Sequence, residues 1–148
     1  MKARWFLFYW MPVIAYAALI LMISSIPGSA IKLPFSWFDK VAHICEYGLF
    51  SLLLGRALRA PKPSSAGASR AGSQSGAAAA VITIVAVVAF GTIDEMYQST
   101  RGRDADIYDL AADTTGACLA QGIVAMSSAA RSKEERKRLE RRGRMIAR

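Results

Sequence analysis

The chain contains a single histidine, His43, with a carboxylate one helical turn before it. Asp39, His43 and Tyr47 follow each other in steps of four, so a helix would place their side chains on one face. Histidine titrates near neutral pH and a neighbouring carboxylate can orient its ring, which is the arrangement of a general acid–base group. The spacing fits a hydrogen-bonded structural histidine equally well, and both interpretations stay open.

A second group of carboxylates comes later in the chain, where Asp94 and Glu95 are adjacent and Gln98 follows one turn on. Adjacent carboxylates resist simultaneous ionisation, which separates their pKa values and suits acid and base roles. The structural alternative is an ion pair with Arg101 or Arg103. From these two groups we predict four catalytic residues: Asp39, His43, Asp94 and Glu95.

Arg103, Asp106 and Asp109 lie on a short connection and at the start of the next predicted helix. A guanidinium binds phosphate or carboxylate through two parallel hydrogen bonds. Asp106 and Asp109 could bind a hard divalent cation together with one carboxylate of the preceding pair, but capping of a helix N-terminus explains them as well. We therefore assign no metal ligands and leave the cofactor open. The predicted substrate-binding residues are Tyr47, Gln98, Arg103, Asp106 and Asp109.

Four apolar segments must position these residues. The mean hydropathy is +0.26 although 20% of the residues are charged, so charges and apolar runs must be segregated. A spanning helix needs about 20 mostly apolar residues. We predict an all-α fold, an integral membrane four-helix transmembrane bundle over residues 1–130, with a Ser/Gly/Ala-rich flexible linker at 60–76. The fourth span has the weakest pattern, because Asp109 and Asp113 interrupt its first turns. The predicted spans are 5–26, 41–58, 77–96 and 107–130.

The basic residues predict the orientation of this bundle. Of the nineteen Lys and Arg residues, fifteen lie on the side that holds both termini and the linker, and four lie on the other side. The positive-inside rule makes the first side cytoplasmic, with a basic cytoplasmic tail at 131–148. The net charge of +8 is thereby explained as a topology signal, and we predict no nucleic-acid partner.

The acidic residues have the opposite distribution. Eight of the eleven fall at the outer ends of the second, third and fourth predicted helices. Ionisable groups in or beside a span face the bundle interior or a wet cavity, because lipid does not solvate them. The sequence therefore predicts an outward-facing polar pocket.

Four motifs follow each other in a fixed order along these helices. They are Ser24–Pro27; Asp39–His43 with Tyr47; Asp94 and Glu95 with Gln98; and Gly102 and Arg103 with Asp106, Asp109 and Gly116. This ordered set, over about residues 24–118, resembles the VanZ-like family of small bacterial membrane proteins, which is named for an accessory factor in resistance to the glycopeptide teicoplanin. Asp113 departs from the family pattern, where Asn is expected, and adds a negative charge.

The resemblance implies a function in the cell envelope and a place in the bacterial inner membrane, without an established reaction. One hypothesis is an enzyme that acts on a lipid or lipid-linked envelope substrate by acid–base or metal-assisted chemistry. The alternative is a non-catalytic protein that binds a lipid, a cell-wall precursor or a glycopeptide. An ion pathway is disfavoured, because the polar residues cluster at one membrane face. The predicted partners are the membrane and such a lipid, and the sequence does not determine the oligomeric state.

Overall fold

Helices make up the structure of this chain. The computed structural model describes residues 2–27, 30, 35–61, 76–103 and 106–146. The helices are α1 (Lys2–Tyr9), α2 (Met11–Ser24), α3 (Ser36–Arg59), α4 (Gly76–Ser99) and α5 (Ile107–Ile146). No residue in the described ranges belongs to a β-strand, so the all-helical prediction is confirmed.

The first two helices form one apolar rod with a local interruption at Trp10. The Trp10 N–H donates to Phe6 O at 2.8 Å, and the Ile14 N–H donates to Trp10 O at 3.0 Å, so helical hydrogen bonding continues across the break. Pro12 has no N–H to donate, which removes one bond from the helix at this point.

Three segments of the described chain are long and apolar enough to cross a membrane: Lys2–Ser24, Trp37–Arg59 and Gly76–Ser99. They support the prediction of a multi-pass membrane protein. The first half of α5 is not among these segments, because Asp109, Asp113 and Gln121 lower its average hydropathy. The fourth span and the orientation of the bundle stay predictions.

The backbones of α3 and α5 approach each other closely. A Cβ atom at Gly48 would lie 3.4 Å from the carbonyl oxygen of Gly116. A Cβ atom at Gly116 would overlap the carbonyl oxygen of Ile44 and lie 3.0 Å from Gly48 N. The two backbones are therefore in direct contact, which only small residues permit between spanning helices.

The apolar core lies between α2, α3 and α4. Ile20, Phe50 and Val87 are buried, one from each of these helices. The rings of Phe50 and Phe90 are 4.9 Å apart, and Tyr47 meets Phe50 edge-on at 6.5 Å. This packing holds the three helices together so that their polar ends lie side by side.

The last helix is one continuous element of 40 residues that extends into the predicted basic tail. Lys, Arg and Glu are good helix formers, and Arg138 Nε lies 3.9 Å from Glu134 Oε1 one turn away. All described side chains from Ala125 onward are exposed. The predicted linker at 60–76 falls outside the described residues except at its two ends.

The contact between α3 and α5 gives a stability prediction. Gly116→Ala places a methyl group against the Ile44 carbonyl and should destabilise the protein by about 1–3 kcal/mol. Gly122→Ala on the same helix has open space at its Cβ and should be neutral or stabilising by up to about 1 kcal/mol. Thermal denaturation in one detergent measures both, and equal melting temperatures for the two variants would contradict the close contact.

Candidate functional site

Ionisable residues from α3, α4 and α5 meet at one end of the bundle, in two connected groups. We call the first the lysine cluster: Asp39, Lys40, Arg103, Asp106 and Asp109. We call the second the histidine cluster: His43, Asp94, Glu95 and Asp113. All nine residues predicted as catalytic or substrate-binding lie in these clusters or hydrogen-bond to them.

In the lysine cluster one ammonium group serves several carboxylates. Lys40 Nζ donates to Asp106 Oδ2 at 2.6 Å and also donates to Asp109 Oδ1. It lies 3.8 Å from Asp39 Oδ2. Arg103 approaches Asp39 more loosely, with 4.0 Å between Nη2 and Oδ1. The ammonium thus ties the start of α3 to the start of α5.

Asp106 also caps α5. Its Oδ1 accepts the N–H of Tyr108 at 2.8 Å, which satisfies one of the free donors at the helix N-terminus. The Lys40 ammonium, and after it the Tyr108 N–H, lowers the pKa of the Asp106 carboxyl below its ordinary value. The backbone N–H of Asp106 donates to Glu95 Oε2 at 3.2 Å, which connects the two clusters.

The histidine cluster centres on a buried imidazole–carboxylate pair. His43 Nδ1 lies 2.8 Å from Asp113 Oδ1, and the two residues are 5% and 0% exposed. His43 Nε2 lies 3.9 Å from Asp109 Oδ1, and the ring stacks on Tyr47. The expectation that Asp39 orients the ring is corrected: α5 supplies the hydrogen-bond partner, and Asp39 lies beside Lys40 instead.

Asp94 is held by three donors on one of its oxygens. Its Oδ2 accepts the Tyr47 hydroxyl at 3.0 Å and the Gln98 amide at 2.8 Å. It also accepts the Ser24 hydroxyl, from the end of α2, at 2.9 Å. Tyr47 and Gln98, predicted to bind substrate, therefore position this carboxylate within the bundle.

The arginines of the α4–α5 connection do not neutralise the carboxylates of α4. Arg101 Nη2 donates to the Tyr97 hydroxyl at 2.8 Å, and Arg103 has Asp39 as its ion-pair partner. Among the described residues, neither arginine forms a salt bridge with Asp94 or Glu95. The ion pair with Arg101 or Arg103, which was the structural alternative for these two carboxylates, is therefore not observed.

Three buried carboxylate oxygens in the histidine cluster have no hydrogen-bond partner among the described residues. They are Asp94 Oδ1, Glu95 Oε1 and Asp113 Oδ2. Buried polar atoms are nearly always paired, so within the described residues these oxygens mark the part of the bundle whose polar groups are least satisfied.

Comparison with known protein families matches residues 2–128 to the VanZ/LLP1 family. The chain belongs to this family. No curated protein and no solved structure matches it. The family match includes the first helical segment, which the motif resemblance left out. The hydrogen bond from Ser24 to Asp94 is one physical reason why that segment belongs to the same domain as the other helices.

Three residues at the site of this VanZ/LLP1 family member went unassigned in the sequence prediction: Ser24, Lys40 and Asp113. Ser24 and Lys40 belong to the quoted motifs, but nothing in their spacing shows which carboxylate each contacts. Asp113 lies too far inside its helix to cap it, and that was the signal that could have identified it.

Polar contacts also continue along α3 and α5 away from the clusters. Gln121 Nε2 donates to both oxygens of Ser51 at 2.9 Å, and Arg59 Nη2 donates to Gln121 Oε1 at 2.6 Å. Ser51 and Gln121 are buried. The expectation that polar residues cluster at one membrane face alone is therefore too narrow.

The shared ammonium of the lysine cluster gives the next prediction. Lys40→Met leaves the buried Asp109 carboxylate without its donor and should destabilise the protein by about 1–3 kcal/mol. The double variant Lys40→Met/Asp109→Asn should recover part of that loss, because the unpaired charge is gone. Melting temperatures in detergent measure both, with the exposed Arg101→Met as control. A double variant no more stable than Lys40→Met would contradict the pairing.

Proposed function

We propose that this family member crosses the bacterial inner membrane four times, with both termini in the cytoplasm. The polar residues that lower the hydropathy of α5 are Asp109, Asp113 and Gln121, and all three are buried against the bundle. The exposed surface of the same half carries large apolar side chains, as expected for a lipid-facing helix. These are Ile107, Leu119, Ile123 and Met126.

The orientation rests on the charge distribution. Lys and Arg are concentrated at the two termini and in the connection between α3 and α4. The positive-inside rule makes that side cytoplasmic, so that the two clusters face outward.

Cysteine labelling tests this topology. The exposed Cys45 and Cys118 are first replaced by alanine, and then Thr100→Cys or Ser132→Cys is introduced. A membrane-impermeant maleimide should label position 100 in intact spheroplasts and position 132 only after permeabilisation. Labelling of both from the same side would show that α5 does not cross.

The function we propose for the outward-facing site is acid–base catalysis on an anionic lipid or lipid-linked envelope substrate. The observation that carries it is the buried contact between His43 Nδ1 and Asp113 Oδ1. A carboxylate that accepts from Nδ1–H fixes the tautomer and leaves Nε2 able to take and return a proton. Burial of such a pair inside a span is costly, which favours a chemical role over a merely structural one.

Arg103 supplies the complementary group for an anionic substrate. Its side chain is 17% exposed, and its ion-pair partner among the described residues is Asp39 at 4.0 Å. A guanidinium held this loosely retains donors for a phosphate or carboxylate. Lys40 is less suited to that role, because it already donates to two carboxylates.

The second candidate function is binding without catalysis, of a lipid, a cell-wall precursor or a glycopeptide such as teicoplanin. It is favoured by the difference in access between the two clusters. Arg103 and Asp39 are partly exposed, whereas His43 is buried. A headgroup could therefore dock on the lysine cluster without reaching the imidazole.

Lipid analysis separates the two functions. Cells expressing the wild-type chain should contain an altered envelope lipid or lipid-linked precursor, and His43→Gln should reduce its formation by at least about 100-fold. Native mass spectrometry should show the unaltered lipid bound to His43→Gln, whose melting temperature serves as a folding check. Thr115→Ala, exposed on α5, is the matched control.

One outcome would decide against catalysis. If wild type and His43→Gln retain the same lipid and neither changes the envelope lipids, the protein binds without a reaction.

A further inference from the structure

The two clusters differ in how their charges are balanced. In the lysine cluster, Lys40 and Arg103 face three carboxylates and bring two full positive charges to them. In the histidine cluster Asp113 pairs with the imidazole of His43, and Glu95 has an oxygen within 4.8 Å of a nitrogen of that ring. Asp94, the third carboxylate, is held by neutral donors. The histidine cluster therefore has fewer basic groups for the same number of carboxyl groups, and it is the more deeply buried of the two.

Two carboxylates of the histidine cluster combine burial with an unpaired oxygen. Glu95 is 7% exposed and Asp113 is 0% exposed, yet Glu95 Oε1 and Asp113 Oδ2 have no hydrogen-bond partner among the described residues. Asp113 Oδ2 lies against α4, because a Cβ atom built at Gly91 would be 2.9 Å from it. Gly91 precedes Glu95 by one helical turn. Buried carboxylates in such a position are normally paired or coordinate a metal, because leaving them bare is costly.

The donor atoms are already close together. One nitrogen of His43 and one oxygen each of Glu95 and Asp113 all lie within 4.8 Å of one another. Ligands bonded to one zinc ion at about 2.0–2.2 Å are separated by roughly 3.4 Å in a tetrahedral site, so side-chain rotation that draws the three donors closer would complete the set. We propose that His43, Glu95 and Asp113 bind a divalent transition-metal ion within the bundle.

The donor types select the class of ion. Imidazole suits zinc and neighbouring transition metals, and carboxylate suits manganese, whereas calcium and magnesium prefer oxygen ligands throughout. One nitrogen with two carboxylate oxygens therefore favours Zn²⁺ or Mn²⁺ over Ca²⁺ and Mg²⁺.

A second set of possible metal ligands also lies close together, but a lysine ammonium already contacts its two carboxylates. Asp39, His43 and Asp109 approach each other within the same 4.8 Å. The Lys40 ammonium donates to Asp109 and lies 3.8 Å from Asp39, so a metal ion there would meet a like charge. The structure thus assigns the ion to the set that has no ammonium.

This site rests on the proposed function and deepens it. Three protein ligands leave a coordination position open for water or a substrate oxygen, as in catalytic rather than structural metal sites. With an ion bound, His43 would serve as a ligand in place of its hydrogen bond to Asp113 and of its own proton transfer. Water on the ion, whose pKa a metal lowers, would release a proton to solvent, and the resulting hydroxide would be the base.

The test measures metal content and needs no substrate. The full chain is purified in mild detergent through a tag without histidines, and metals are quantified by plasma mass spectrometry. The wild type should retain about one Zn²⁺ or Mn²⁺ per chain. Glu95→Gln and Asp113→Asn should each lose at least about tenfold in metal content. Asp39→Asn, which alters only the other donor set, should keep its metal.

A second measurement guards against variants that fold poorly. After chelation, adding Zn²⁺ or Mn²⁺ should raise the melting temperature of the wild type, whereas Ca²⁺ and Mg²⁺ at the same concentration should not. Glu95→Gln, folded by circular dichroism, should show no rise with any of the four ions.

Two results would overturn the site. One is a wild type that carries no metal and gains no stability from any ion. The other is metal that Asp39→Asn loses and Glu95→Gln keeps, which would place the ion at the other donor set. Failure of the metal site is distinguishable from failure of the proposed function. A metal-free wild type that still alters lipids in a His43-dependent way would contradict only the metal site. A metal-bound chain that alters no lipid would contradict only the proposed reaction.

Discussion

The backbones of α3 and α5 touch where Gly48 faces Gly116, and the site depends on that contact. Without side chains between them, the two helices come close enough for His43 and Asp113, each about one turn away, to meet at 2.8 Å. A larger residue at Gly116 would overlap the Ile44 carbonyl and push the helices apart, which would separate the buried imidazole from the buried carboxylate. The close packing of the two helix backbones is therefore the condition for the polar contacts in this bundle.

The cost of charge inside a bundle explains how the polar residues are arranged. Lys40 draws Asp106 and Asp109 together at the start of α5, where the helix N-terminus also needs acceptors. Deeper in the bundle, Asp94 is stabilised by neutral hydroxyl and amide donors instead of a cation. Glu95 and Asp113 each keep one oxygen there that has no hydrogen-bond partner among the described residues.

Much of the fold was predictable because it follows from local patterns. Apolar length indicated the helices of Lys2–Ser24, Trp37–Arg59 and Gly76–Ser99, and short-range spacing placed Asp39, His43 and Tyr47 on one face of α3. The first half of α5 is harder to recognise as a membrane span. Its polar residues are buried against other helices, and a hydropathy averaged over the helix does not show which side they occupy. The motif resemblance to the family, which the family match confirms, depended on residue types in order and needed no three-dimensional information.

The sequence by itself determined which residue types are available and that they gather at the ends of a few apolar helices, because helix periodicity and the exclusion of charge from lipid act locally. Only the tertiary structure decided which side chains are hydrogen-bonded to each other. His43 is bonded to Asp113 rather than to Asp39, Lys40 donates to Asp109, and Ser24 donates to Asp94. These partners are about 70 residues apart, and their meeting depends on the rotation and separation of packed helices. Such distances are set by contacts between backbones, which no spacing along a single helix encodes.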